Sequence, residues 1–345
     1  MIPVLVAGVL ALAVTAGLTP APTPDPPAPV PPARCTVDDP RLEELSGLVV
    51  DGDAIWAMAD GGSRVTVYRL DVSGPECSIV QTRTAPLDPY DPEDLAIGPD
   101  GALWVSDTGD NDRKRDTVAV VVMPATGAAQ LHRLSYPDGP HDAEALLVDR
   151  QGRPVVIVKD FGVSIGIYRT AAPPEGSGPT PLVRVGALAP PSSQTVGGPV
   201  GGFGSRLVTG AASTADGSVV AVRTYTDAWL FPAPDGDPVA ALTGEPVQVP
   251  LPDEPQGEAI AFTSDGTLLS GSETRGGVSG QIRAVTGASG LVPAARRHAA
   301  PAATGSPSAP EAATTPEWVP GVVGGAALVV VLMATGVAMS VRRRR

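Results

Sequence analysis

The sequence predicts an all-β body, a β-propeller of five blades that are each a four-stranded antiparallel sheet, followed by one C-terminal transmembrane helix. Three observations carry this reading. A hairpin module recurs about every 50 residues. No long amphipathic helical pattern lies between its copies. Near the C-terminus, Gly321 to Val341 gives 21 residues without a charge.

The clearest copy of the module runs from Glu93 to Asp107. Glu93-Asp94-Leu95-Ala96-Ile97 reads as a short apolar strand, Pro99-Asp100-Gly101 as a turn, and Ala102 to Asp107 as a second strand ending in an acid. An Asp-Gly pair between apolar runs marks a hairpin, because the turn needs a positive φ that glycine adopts without steric cost. The pattern recurs in register: Glu44, Glu93, Glu144 and Glu258 each stand eight positions before Gly52, Gly101, Gly152 and Gly266. A fifth copy, ending at Asp216-Gly217, carries Thr209 in the glutamate position. The steps between the glycines are 49, 51, 65 and 49 residues.

Second strands are expected at 54–59, 102–106, 155–159, 219–223 and 267–270. Third strands are expected at 64–72, 117–123, 164–170 and 281–286, and fourth strands at 78–83, 130–135, 182–188 and 247–251. Four short strands per unit of about 50 residues is the pattern of a propeller blade. A β-sandwich does not explain one motif copied five times. The 65-residue step, with the Gly-rich stretch 196–204 inside it, leaves six blades as the alternative count. The last copy lacks an outer strand, so the segment after Cys35 is expected to supply one and close the ring, which removes an open sheet edge. Cys35 and Cys77, the only cysteines, are expected to pair as a disulfide beside the first blade.

Hydrophobic residues make up 43% of the 345 residues, enough for a sizeable core, and 40 Gly and 39 Pro supply many turns. The net charge is −13; Arg342 to Arg345 contribute +4, so the rest carries −17. A body this acidic repels phosphate backbones, which argues against nucleic acid as a partner. No Cys/His cluster has zinc spacing.

Residues 1–18 read as a signal peptide, apolar up to Leu18 with small residues at Val14-Thr15-Ala16, and 19–34 as a Pro-rich linker. The body spans 35–291. Residues 292–319, rich in Ala, Pro, Ser and Thr, read as an extended stalk. Residues 320–341 form the membrane span, about 31 Å as a helix. Trp318 stands at its edge, and the arginine tail 342–345 keeps the C-terminus cytoplasmic. The expected location is therefore the cell membrane, single-pass, with the large domain outside.

The run Asp91-Pro92-Glu93-Asp94-Leu95-Ala96, continued by Pro99-Asp100-Gly101-Ala102-Leu103-Trp104-Val105-Ser106-Asp107-Thr108-Gly109-Asp110-Asn111, resembles exported bacterial propellers of the broad TolB-like and gluconolactonase-like group. It is also similar to proteins described as phytase-like with esterase-like activity. The resemblance covers the body. It implies a propeller and, from the gluconolactonase-type enzymes, a divalent metal held at the centre by carboxylates and asparagines. Asn111 is the only asparagine in this chain.

In a propeller the first strand of each blade lines the central channel. Glu44, Glu93, Glu144 and Glu258 are thus expected as a ring at one mouth, with the second strands ending nearby at Asp60, Asp107, Asp160 and Glu273. So many carboxylates in one cavity call for a cation or raised pKa values. A hard cation such as Ca²⁺ fits oxygen ligands, with Glu93, Asp107, Asp110 and Glu144 as the expected ligand set. The other reading is structural, with the acids accepting backbone N–H bonds between blades. Tyr225 and Arg223 are further ligand-binding candidates. Trp56, Trp104 and Trp229 either face a ligand or pack between blades. His132 and His141 are the only histidines in the body, and His141 is read as a loop residue. Gly162-Val163-Ser164-Ile165-Gly166 matches a nucleophile elbow in letters, but a strand-like run follows where the elbow needs a helix.

Two functions follow. The first is a binding or sensing ectodomain whose partner is a small molecule, polymer or cell-surface protein. The second is a metal-dependent esterase, lactonase or phosphatase-like hydrolase.

Overall fold

The copies of the repeat fold into four-stranded antiparallel units, the last completed by an N-terminal strand, and the second and third units join through a short parallel pairing of Thr180-Pro181 with Leu134-Ser135 into one eight-stranded sheet. The structure, a computed structural model, describes residues 28–161, 164–176 and 178–293. The expected signal peptide, transmembrane helix and arginine tail lie outside the described residues, as do most of the stalk and linker and Gly162-Val163 of the elbow-like motif. No helix among the described residues is long and apolar enough to cross a membrane.

The first unit comprises β2 (Leu45–Asp51), β3 (Ala54–Ala59), β4 (Val65–Asp71) and β5 (Ser78–Ala85). The second comprises β6 (Pro92–Ile97), β7 (Leu103–Asp107), β8 (Val118–Met123) and β9 (Gln130–Ser135). The third has β10 (Ala143–Val148), β11 (Pro154–Val158), β12 (Ile165–Thr170) and β13 (Thr180–Leu188). The fourth has β14 (Val208–Ser213), β15 (Val219–Thr224), β16 (Asp227–Pro232) and β17 (Val247–Pro250). The last contains β18 (Gln256–Phe262), β19 (Leu268–Glu273) and β20 (Gly280–Val285), and β1 (Ala33–Val37) completes it by pairing antiparallel with β20. The first strands meet in circular order, β2, β6, β10, β14, β18 and back to β2, which makes the arrangement a β-propeller.

The residue pattern explains the layering. Second strands such as β7, β11 and β15 are buried along their whole length, since they lie mid-sheet with a neighbouring sheet on each face. The outer strand β5 alternates and is largely exposed. Trp56, Trp104 and Trp229 are buried in the apolar layers between sheets, so they pack rather than face a ligand. Cys35 and Cys77 form the expected disulfide and tie β1 to the first unit. β12 follows Ser164 directly, so no elbow helix is present there. The stretch 196–204 forms no strand; part of it is a 3-10 turn, Gly201–Arg206. One strand escaped the sequence reading, β16, because the two-residue turn before it, Tyr225-Thr226, carries none of the usual Gly, Pro or Asn signals.

Every first strand has a one-residue β-bulge at the same level. The register against the second strand slips at Ser46, Glu93, Glu144, Thr209 and Glu258. This corrects the sequence alignment of the first copy. Its hairpin turn is shorter, with Asp51 pairing Ala54 directly, so counting back eight positions from Gly52 overshoots. Ser46 holds the position equivalent to Glu93, and Glu44 lies two residues before it.

The residue after each bulge is Gly47, Asp94, Ala145, Gly210 or Ala259. Four are small, and the fifth fills the room they leave. Asp94 is wholly buried and accepts bonds from the backbone N–H groups of Leu95 (2.7 Å), Leu146 (2.8 Å) and Ala211 (3.1 Å). One side chain thus ties β6 to β10 and β14 across the channel. On the hairpin side the channel opens into a cavity of about 380 Å³ lined by residues that include Leu48, Leu95, Leu146, Ala211 and Ala261.

Asp94→Ala leaves three inward N–H groups without their acceptor and is expected to cost about 2–4 kcal/mol of stability. Asp94→Asn, which can still offer one oxygen to Leu146 and Ala211, should cost clearly less. Urea unfolding of the two variants decides it; an Ala variant as stable as the parent removes the pinning role.

Candidate functional site

Beyond the bulges, at the end opposite the hairpin turns, the first and second strands converge on a mouth. The bulge positions bring Glu93, Glu144 and Glu258 there, with Ser46 and Thr209 in the remaining two places. Those two hydroxyls instead donate to a carbonyl of the next unit, Ser46 to Glu93 O (2.5 Å) and Thr209 to Gly257 O (2.9 Å). Two residues before each bulge stand Glu44, Asp91, Asp142, Leu207 and Gln256. Facing these across the hairpin are the ends of the second strands. Asp60 N donates to Glu44 O (2.9 Å), Lys159 N donates to Asp142 O (2.8 Å), and Gln256 pairs with Glu273.

The tightest group is Glu93, Asp142 and Glu144, all buried, each with one carboxylate oxygen within 4.8 Å of the others'. Two oxygens on opposite sides of a bound Ca²⁺ stand about 4.8 Å apart, twice a metal–oxygen distance of ~2.4 Å, so the spacing suits a hard cation. Glu144 offers more: its Oε2 is buried with no hydrogen-bond partner among the described residues. Its Oε1 is bonded to the ammonium of Lys159, which lies 5.0 Å from the centre of the Tyr225 ring. Glu258 accepts a bond from Gln256 Nε2 (2.8 Å), and Gln256 in turn is bonded by Arg275. The backbone at Gly109 passes so close that a side chain there would collide with the Glu93 and Asp91 carboxylates.

Burial raises the pKa of Glu93 well above its ordinary value, and the charges of Glu144, Asp91 and Asp60 add to it. Burial likewise raises Glu144, against the opposing Lys159 charge. Desolvation comes first for Asp91, Asp142 and Glu258 too, all raised. Asp60 is pushed up to about 7 by burial and by Asp91 and Glu44. Glu273 is pushed up to about 9 by burial and by Glu258 and Asp60. For Lys159 the carboxylates outweigh burial and raise its pKa, so it stays an ammonium group and is no amine nucleophile at neutral pH.

The structure therefore brings together Glu93, Glu144 and Glu258, with Tyr225 beside them. Glu44 stays exposed at the rim, near enough for its charge to act on Asp60. The other expected residues are engaged elsewhere. Asp107 accepts from Tyr90 N (3.2 Å) and Asp91 N (3.0 Å) and pairs with Arg115 (3.0 Å). Asp110 accepts from Lys114 N (2.9 Å) and Arg115 N (2.8 Å), shaping its own loop. Asp160 pairs with Arg113 (3.5 Å). Arg223 is wholly buried against Glu254, Ser270 and Ala259 O, tying β15 to the last sheet rather than facing a ligand. His141 is half-buried in a loop with Asp138 and Tyr168, 3.0 Å from each. Asp142, Asp91 and Lys159 were missed. The signal was present, since an acid stands two positions before the glutamate in two copies, Asp91 before Glu93 and Asp142 before Glu144, and Glu44 holds the same place before Ser46.

No protein-family model matches the chain, and no curated protein matches it. Among solved structures, a gluconolactonase from Xanthomonas campestris is similar at 16% identity, covering 70% of this chain and 72% of its own, with a TM-score of 0.39. A nidogen–laminin complex is similar at 13% identity, covering 66% and 72%, with a TM-score of 0.34.

The raised carboxyls set a pH dependence with a definite sign. Folded Asp60 and Glu273 keep protons that the unfolded chain releases near pH 4, so the unfolded state binds fewer protons and stability falls as pH rises. The loss from Asp60 runs from its unfolded value to about pH 7, and that from Glu273 to about pH 9. In chelator-treated protein the melting temperature should drop by on the order of 5 °C between about pH 5 and pH 9. Glu273→Gln should flatten the upper part of that fall. A flat profile, or a variant with the parent slope, contradicts the assignment.

Proposed function

We propose that this chain is an exported, single-pass membrane protein whose five-bladed propeller is a binding ectodomain outside the cell, with a hard divalent cation such as Ca²⁺ at its acidic mouth. One observation carries the cation reading: three buried carboxylates lie within 4.8 Å, and one of them has an unpartnered buried oxygen. Glu93, Asp142 and Glu144 would hold the ion. When bound, it would supply charge neutralisation and an open coordination position for a ligand oxygen. Apolar contact area surrounds the mouth: Tyr90, Phe161 and Phe203 are exposed, and all three lie on loops of that face. The tether rests on the apolar C-terminal segment and its arginine tail.

Millimolar Ca²⁺ in place of chelator is expected to raise the melting temperature of the purified body. An ion at about 100 times its dissociation constant adds ~2.7 kcal/mol, or on the order of 5–10 °C. Asp142→Asn and Glu144→Gln should remove most of that response. If neither a thermal shift nor bound metal by elemental analysis is seen, the site is not a metal site.

A hydrolase is the second reading, favoured by Asp60, whose pKa of about 7 suits a general acid or base at neutral pH. Ester, lactone and phosphoester substrates assayed with and without Ca²⁺ test it. Turnover that needs the ion and falls at least about a hundredfold in Asp60→Asn would make the protein an enzyme. The absence of turnover on all three leaves the binding role.

A further inference from the structure

The mouth already contains one cation. The Lys159 ammonium is bonded to Glu144 Oε1, lies 5.0 Å from the Tyr225 ring centre, and exerts its charge on Glu93, Asp142 and Glu258. Its side chain is only 17% exposed. The other units place Asp60, Thr108, Tyr225 and Glu273 at the equivalent second-strand end, so no other copy sends a positive charge inward there. Lys159 is thus a single departure from the repeat, set against the carboxylate that also faces the unpartnered site.

We propose that Lys159 is the resident counter-ion of the mouth, and that a divalent cation enters by displacing its ammonium group from Glu144. This rests on the cation reading above and adds a competition to it. The physical argument has three parts. An ammonium group and a divalent ion a few ångströms apart in a buried site repel each other. Glu144 can turn both oxygens to an ion only when its bond to Lys159 is given up. The lysine can leave Glu144 without moving the sheet, because its backbone N–H is held by Asp142 O (2.8 Å) and its flexible four-carbon stem, 17% exposed, has rotatable bonds that can carry the ammonium group to solvent. Lys159 would then set the threshold concentration at which the ion binds, and ion binding would release a positive charge to the surface of the mouth.

The chain has only two lysines, which makes the displacement directly readable. Lys114 has a side chain 75% exposed and serves as an internal standard. The intact protein is treated briefly with an amine-acylating reagent, with chelator or with Ca²⁺, and the two sites are quantified by mass spectrometry. Lys114 should react equally in both, and Lys159 should react at least about fivefold more with Ca²⁺. In parallel, Lys159→Met should bind Ca²⁺ about tenfold or more tightly than the parent by calorimetry, whereas Lys159→Arg should stay close to it. If the parent binds Ca²⁺ but Lys159 labelling does not change, or if Lys159→Met binds no more tightly, the displacement is wrong and the cation site stands. If neither parent nor Lys159→Met binds Ca²⁺, both proposals fall. Should Lys159→Met fail to fold, the labelling of the parent alone decides.

Discussion

A single misfit residue in each inner strand governs the geometry of the mouth. The bulge inserts one residue that has no partner on the second strand, and it reverses which face the following side chains take. Where the unpaired residue is glutamate, its carboxylate is delivered to the axis. Where it is serine or threonine, a hydroxyl ties one sheet to the next. The next residue must then be small, or must fill the axis as Asp94 does. Asp107 and Asp160 show the same rule from the other strand. Each stands one position from the inward-facing residue, and each is paired with an arginine instead, Asp107 with the largely buried Arg115 and Asp160 with the exposed Arg113.

The mouth is electrostatically costly as it stands. Seven carboxyl groups, those of Asp60, Asp91, Glu93, Asp142, Glu144, Glu258 and Glu273, all have raised pKa values with burial as the leading cause. Lys159 is the inward cation bonded directly to one of them. Purely structural acids are normally matched by donors, and this protein supplies examples. Asp94 has three backbone donors, and buried Asp227 accepts from Ser193, Thr195, Thr226 and Gln248. The mouth lacks that matching at Glu144 Oε2. The difference between Asp227 and Glu144 is the difference between an acid used to fasten a loop and one left facing an opening.

The repeat made the sheets and the closing strand legible, since Asp-Gly turns and apolar runs are local signals. The disulfide followed from there being only two cysteines. Glu93, Glu144 and Glu258 were readable because their copies share one turn length. Glu44 was misaligned because its turn is shorter, and no pattern in the residues alone announces where a bulge falls. Asp142 was overlooked though it repeats Asp91 in sequence. Lys159 was unreadable for the opposite reason: it breaks the repeat, and only the pairing of β10 with β11 shows that it faces the acids. Arg223 looked available next to Tyr225, yet strand alternation turns it into the sheet interface.

The closing strand has one more effect. β1 starts beside the late part of β20, Ala33 against Arg283, and the last 3-10 turn, Ala288–Leu291, is held against the hairpin at Gly266 by the bond from Ser289 N (3.0 Å). The described chain therefore enters and leaves at the hairpin end, and the carboxylate mouth opens at the other. A ligand that approaches the brim therefore meets neither the first nor the last of the described residues.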